Sequence, residues 1–232
     1  KVASHLGTIA NRTKTIPPKL AFSMMSESAK WVLNYGDEII SLNDSNADSK
    51  TASQRLLSKG LNVKMRDGVC KFRDEFTLEN IIRQLAAACF TVIASLTARR
   101  KEEIFDLGYK CIDEGRGDNA YWLTIYIEKT LQRYDLCPVP LLVKKAVDLL
   151  EKLSESARFQ SGNDSIWQYR ATSGEIVQLN DKVVKNALND FYLYHLPDGN
   201  EKEWNFSFHQ YRRIFALLYF YRFEGAYIGA LS

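Results

Sequence analysis

A chain of 232 residues, 46% hydrophobic and 25% charged, has the composition of a folded protein and the length for one large domain or a domain with an arm. Its 31 basic and 28 acidic residues leave a formal charge of +3, too even a balance to announce a nucleic-acid partner. Any such surface must gather its charge on one face. Cys70, Cys89, Cys111 and Cys137 form no Cys-x-x-Cys pair, and His5, His195 and His209 are scattered. That spacing excludes an ordinary zinc site and reads as buried thiols in a reducing, cytoplasmic compartment. No apolar run approaches the ~20 residues that span a bilayer, so no membrane association is expected. The N-terminus carries no signal-peptide pattern, and Lys1 stands where a start methionine would, so the natural beginning is expected upstream.

Residues 1–18 hold Asn11-Arg12-Thr13-Lys14-Thr15 and end in Pro17-Pro18, which reads as an arm or linker before a domain over 19–232. From Lys19 to about Leu42, the apolar residues Leu20, Met24, Ala29, Val32, Leu33, Ile39 and Ile40 recur at helical spacing. Residues 43–54 are polar and rich in turn formers, so a loop is expected there. Leu78 to Thr97 predicts a helix capped by Thr77 and apolar nearly all round, as a helix in the middle of a domain must be. The pattern then changes to strands. Tyr109–Ile112 precedes a turn over 113–119, and Tyr121–Ile127 alternates aromatic and β-branched residues. Leu136–Pro140 fits a short edge strand, because proline is confined to edges. Helical spacing returns from Leu141, with Val143, Val147, Leu150 and Leu153. Residues 158–182 read as a long loop or insertion, Val183–Tyr194 as a short helix and Tyr211–Phe223 as an aromatic-rich one. The expected fold is α+β: helices, a small three-stranded antiparallel sheet, then helices again.

Two stretches carry candidate chemistry. In His209-Gln210-Tyr211-Arg212-Arg213, His209 and Arg212 are three apart and share a helix face. Upstream, Thr97-Ala98-Arg99-Arg100-Lys101-Glu102-Glu103-Ile104 stands where the buried helix meets the sheet. Between them, the strand Ile125-Tyr126-Ile127-Glu128 leads to Lys129 at a turn.

In these residues the chain resembles the catalytic domain of the tyrosine recombinases, the phage-integrase family. That family opens with Arg-x-x-Glu-(Leu/Ile)-x-x-Leu, often after Thr-Gly-Leu. Here the stretch from Thr97 through Arg100, Glu103 and Ile104 to Leu107 matches, with Ala98 and Arg99 in place of glycine and leucine. A three-stranded sheet with a hairpin lysine follows, matched by Lys129. Then comes His-x-x-Arg before a helix containing Phe-Ala, matched by His209, Arg212, Phe215 and Ala216. The resemblance runs from about Lys19 to Ser232.

It implies a DNA breaking-rejoining fold and site-specific recombination, such as mobile-element integration, through a 3′-phosphotyrosine intermediate. Arg100 and Arg212 would grip the nonbridging oxygens of the phosphodiester, Lys129 would protonate the leaving 5′-oxygen, and His209 would assist proton transfer at the attacking tyrosine. No cofactor or metal is implied, since the arginines supply the positive charge. The partner is double-stranded DNA, with a homo-tetramer on DNA for the complete protein and a monomer for this chain. The nucleophilic tyrosine is expected beyond Ser232, and Tyr227 is too close to Arg212 to be that residue, so this chain is not expected to cleave DNA. Arg12, Lys14, Lys19, Arg55, Lys59, Lys64, Arg66, Lys71 and Arg73 are candidates for weaker, salt-dependent phosphate contacts. A DNA-binding relative without catalysis, a type IB topoisomerase-like enzyme, and a helical scaffold in which Arg100, Lys129, His209 and Arg212 lie far apart remain the alternatives.

Overall fold

The computed structural model describes residues 15–61, 77–114, 120–127, 132–196 and 204–222. The chain enters as one long amphipathic rod, α1 (Pro18–Lys30), a π-helical turn (Trp31–Tyr35) and α2 (Gly36–Asp44). Pro18 suits the first helical position, where a missing N–H costs nothing. Ile16, inside the stretch expected to be an arm, is fully buried. The expected loop over 43–54 is corrected to a turn followed by α3 (Ser49–Ser58). Asp48 starts that helix by accepting from the N–H groups of Lys50 and Thr51, and Ala52 and Leu56 fasten it to the core.

The centre of the molecule is α4 (Leu78–Thr97), capped by Thr77 Oγ1, which accepts from the Asn80 N–H at 3.2 Å. Its mean hydropathy of 1.3 and 20-residue length suffice to cross a bilayer, which corrects the expectation that no run approaches that length. Burial explains the composition: 83% of its most apolar window lies inside the protein. Helices α1, α2, α6 (Leu141–Ser161), α7 (Asp181–His195) and α8 (Phe208–Arg222) all pack on it. A buried polar link crosses this layer where His195 Nε2 meets Gln84 Oε1 beside the Trp31 ring, and another where Thr91 Oγ1 meets the Tyr211 hydroxyl. Cys89 and Cys111 are buried, and removal from water pushes the Cys111 thiol up to about 12. Cys137 is half-buried, and Cys70 lies outside the described residues.

After α4 comes the short α5 (Lys101–Phe105), then an antiparallel sheet of β1 (Ile112–Asp113), β2 (Tyr121–Ile127) and β3 (Arg133–Val139), in that order. Leu123, Ile125 and Ile127 face the core from β2, as the period-two pattern requires. β3 is an edge strand, as expected, but pairs along its whole length, from Arg133 opposite Ile127 to Val139 opposite Tyr121. Pro138 is tolerated there because one side of an edge strand has no ladder to complete.

The stretch 158–182 is not a loop. It contains the end of α6, a two-stranded hairpin of β4 (Gln168–Arg170) and β5 (Ile176–Gln178), and the start of α7. Gly174, at φ +88°, closes the turn by donating to the Ala171 carbonyl. Ile166, Trp167, Gln168 and Tyr169 are buried, which ties the hairpin to the core. The architecture is therefore mixed α+β, mainly helical, with a small three-stranded antiparallel sheet.

Candidate functional site

The C-terminus of α4 and the N-terminus of α8 meet at one junction. Thr97 Oγ1 donates back to the Ile93 carbonyl at 2.7 Å, and the chain leaves the helix through Ala98 in the left-handed region, at φ 55° and ψ 17°. A side chain there is strained, since only glycine reaches this region freely. Ala98→Gly is expected to stabilise the fold by up to about 1 kcal/mol, less whatever the freer unfolded chain takes back. Chemical denaturation checks this, and a loss of stability would contradict the strain.

The turn delivers Arg99 and Arg100 to the start of α5. Arg100 is the N-cap, and the Glu103 carboxylate reaches back to it twice. One oxygen accepts from the Arg100 backbone N–H at 3.0 Å, while the other meets the guanidinium at 3.0 Å. Glu103 is 4% exposed, so this carboxylate holds the Arg100 guanidinium firmly where a surface pair would not.

Helix α8 supplies the other half. Before it, the Ser207 N–H donates to Gln210 Oε1 at 2.9 Å, the returning arm of a capping box. His209 stands exposed in the first turn, and Arg212 follows on the same face. Arg212 is half-buried, and its Nε donates to the Ala98 carbonyl at 2.8 Å across 114 residues of sequence. That bond stitches the start of α8 to the turn carrying Arg99 and Arg100. The pKa of the Arg212 guanidinium falls below its ordinary value, first through burial and then through repulsion from Arg100 and Arg99, with Glu103 opposing. Arg212 thus lies within electrostatic reach of Arg99, Arg100 and Glu103, while Glu103 itself is bonded to Arg100. The positive end of the α8 dipole, with no acidic residue in its first turn, adds to the same field.

An aromatic cluster below fixes this alignment. Phe90 of α4 meets Phe105 of α5 with ring centroids at 5.5 Å, and Phe208 and Tyr211 of α8 at 4.7 and 5.8 Å. Tyr211 is fully buried beside Thr91, so its hydroxyl serves the core. Beside the junction opens a cleft of about 430 Å³, walled by Lys101, Phe105, Trp167, Leu179, Asn180 and Asp181. Lys101 is held there by Asp181 at 3.0 Å.

The other expected positions divide. Arg55 and Lys59 are partly exposed, and both pair with Glu38, at 2.5 and 2.8 Å. Lys19 is exposed in the first turn of α1. Lys129, Tyr227, Arg12, Lys14, Lys64, Arg66, Lys71 and Arg73 lie outside the described residues. Two members of the junction were not among the expected site residues. Glu103 had a signal, the carboxylate three positions after an N-cap. Arg99 had none, since its place at the junction depends on the left-handed turn at Ala98. A scan against protein-family models gives no match for this chain, and a search of curated proteins gives none either.

Proposed function

We propose that this chain is a DNA phosphodiester-handling domain of the tyrosine-recombinase type, serving strand cleavage and rejoining. The observation that carries the reading is the Arg212–Ala98 bond, which puts the His-x-x-Arg stretch beside the Arg-x-x-Glu stretch at one basic junction. A second observation agrees with it. Ala98 is left-handed at the position where the family pattern has glycine, and a left-handed turn is a physical reason for glycine there.

The chemistry follows from the charges. A tyrosine hydroxyl oxygen attacks phosphorus, the bond to the 5′-oxygen breaks, and that oxygen takes a proton as it leaves. One phosphodiester is exchanged for another, so no external energy source enters. Charge on the nonbridging oxygens is met by Arg100 and Arg212, whose planar forks each offer two donors. Glu103 holds Arg100, and the Ala98 carbonyl holds Arg212 through Nε, leaving its terminal nitrogens for phosphate. His209, exposed one turn before Arg212, is assigned proton transfer at the tyrosine. Lys129 is assigned the proton of the 5′-oxygen on resemblance.

The test is binding of a short mixed-sequence DNA duplex by the protein across a salt series, followed by fluorescence anisotropy. Binding that weakens steeply with salt is expected, together with a shallower slope for Arg100→Gln and for Arg212→Gln. A protein that does not bind duplex DNA, or whose affinity ignores both variants, overturns the reading.

A further inference from the structure

Arg99 occupies a position that the two-arginine reading leaves without work. Its Nε is buried and finds no hydrogen-bond partner among the described residues, although a buried guanidinium N–H ordinarily has one. Its backbone N–H is aligned by Thr97 Oγ1 at 3.4 Å, so the residue is set by the same turn that sets Arg100. It adds to the repulsion that disfavours the charge on Arg212. Glu103 is committed to Arg100 by two contacts, and no other carboxylate contact with Arg99 or Arg212 is found among the described residues. Arg213, the remaining guanidinium nearby, is turned to Thr15 Oγ1 at 3.3 Å.

A cluster of like charges whose one carboxylate is committed to Arg100, and which includes an unsatisfied donor, is stabilised by binding an anion that supplies both charge and acceptors. We propose that Arg99 is a third phosphate-gripping arm of this site, engaging the phosphate next to the one held by Arg100 and Arg212. The site's ligand is then a run of the diester backbone, with an isolated phosphate too small to satisfy it. The inference rests on the phosphodiester reading above. It adds a specificity-determining residue to it, because successive phosphodiesters along one backbone exist only in an oligo- or polynucleotide.

The experiment uses the same duplex and salt series with Arg99→Gln, Arg99→Lys, Arg100→Gln and Arg212→Gln, each checked by thermal melting. Arg99→Gln is expected to weaken binding several-fold, to lower the salt slope by about one, and to melt with the wild type. Arg99→Lys should restore the slope, since the charge returns, but not the full affinity, since the fork does not. If Arg100→Gln and Arg212→Gln weaken binding while Arg99→Gln changes neither affinity nor slope, the third arm is refuted and the broader reading stands. If none of the three weakens binding, both fail. Should Arg99→Gln unfold the turn, Arg99→Lys decides: a wild-type slope with several-fold weaker binding supports the arm, and wild-type affinity refutes it.

Discussion

Arg212→Gln is expected to weaken duplex DNA binding by about 1.5–3 kcal/mol, roughly 10- to 150-fold in Kd, while hardly changing stability. The two halves of that expectation have different causes. Affinity falls because charge-assisted hydrogen bonds to phosphate are lost, and such bonds are stronger than neutral ones. Stability holds because two changes offset. The Ala98 carbonyl loses its Nε donor, and a half-buried charge already disfavoured by burial and by Arg100 and Arg99 is removed. Arg212→Lys should not rescue, since an ammonium cannot hold the Ala98 carbonyl and fork onto phosphate at once. Anisotropy titrations with parallel melting curves check both halves. A variant that binds normally, or one that loses affinity only in proportion to its stability, would contradict the assignment.

Phe90→Ala is expected to destabilise the protein by about 3–5 kcal/mol, the usual cost of deleting a buried aromatic ring and leaving its cavity. For a chain of this size that lowers the melting temperature by roughly 6–20 °C. Phe90 is 1% exposed and touches rings from both α5 and α8, so no side of the cavity is free to collapse without moving one of them. The damage should therefore reach the junction: with Phe105 and Phe208 released, Arg100 and Arg212 lose their common platform, and duplex affinity falls even where the protein remains folded. Phe90→Leu, which fills most of the space, should recover much of the stability. Denaturation checks the magnitude, and a loss below about 1 kcal/mol would show that the ring cluster is not what holds these helices together.

The elements that could be read from sequence are those whose signal is local. α4 carries its own cap in Thr77 and an apolar run too long for a strand, and β2 alternates cleanly, so both were found within a residue of their bounds. α3 was hidden because its apolar contribution is confined to Ala52 and Leu56, surrounded by residues that also form turns. The β4–β5 hairpin was hidden for another reason. Its strands are three residues each, and burial of Trp167 and Tyr169 against α6 and α5 stabilises them, as a tertiary effect. The Trp167 Nε1–H donates to the Ile104 carbonyl at 2.7 Å, a link between residues 63 apart that no periodicity announces.

The site divides in the same way. Arg100 and Arg212 were legible as members of two short motifs, and the His209-to-Arg212 spacing gave their common helix face. That Arg212 would lie against the turn carrying Arg99 and Arg100 was not legible. It depends on a left-handed alanine and a side chain bonded across 114 residues to the Ala98 carbonyl. Local spacing locates candidates, and a single long-range hydrogen bond turns two of them into neighbours.

Whether Arg100 and Arg212 grip one phosphate is decided by a double-mutant cycle on duplex binding. Arg100→Gln, Arg212→Gln and the double variant are titrated with the same duplex at one salt concentration. If both guanidiniums hold the same group, either substitution breaks the grip, and the double variant binds little worse than the poorer single one; coupling of about 0.5–3 kcal/mol is expected. If the two losses simply add, the arginines touch separate phosphates or none, and the shared catalytic grip is refuted.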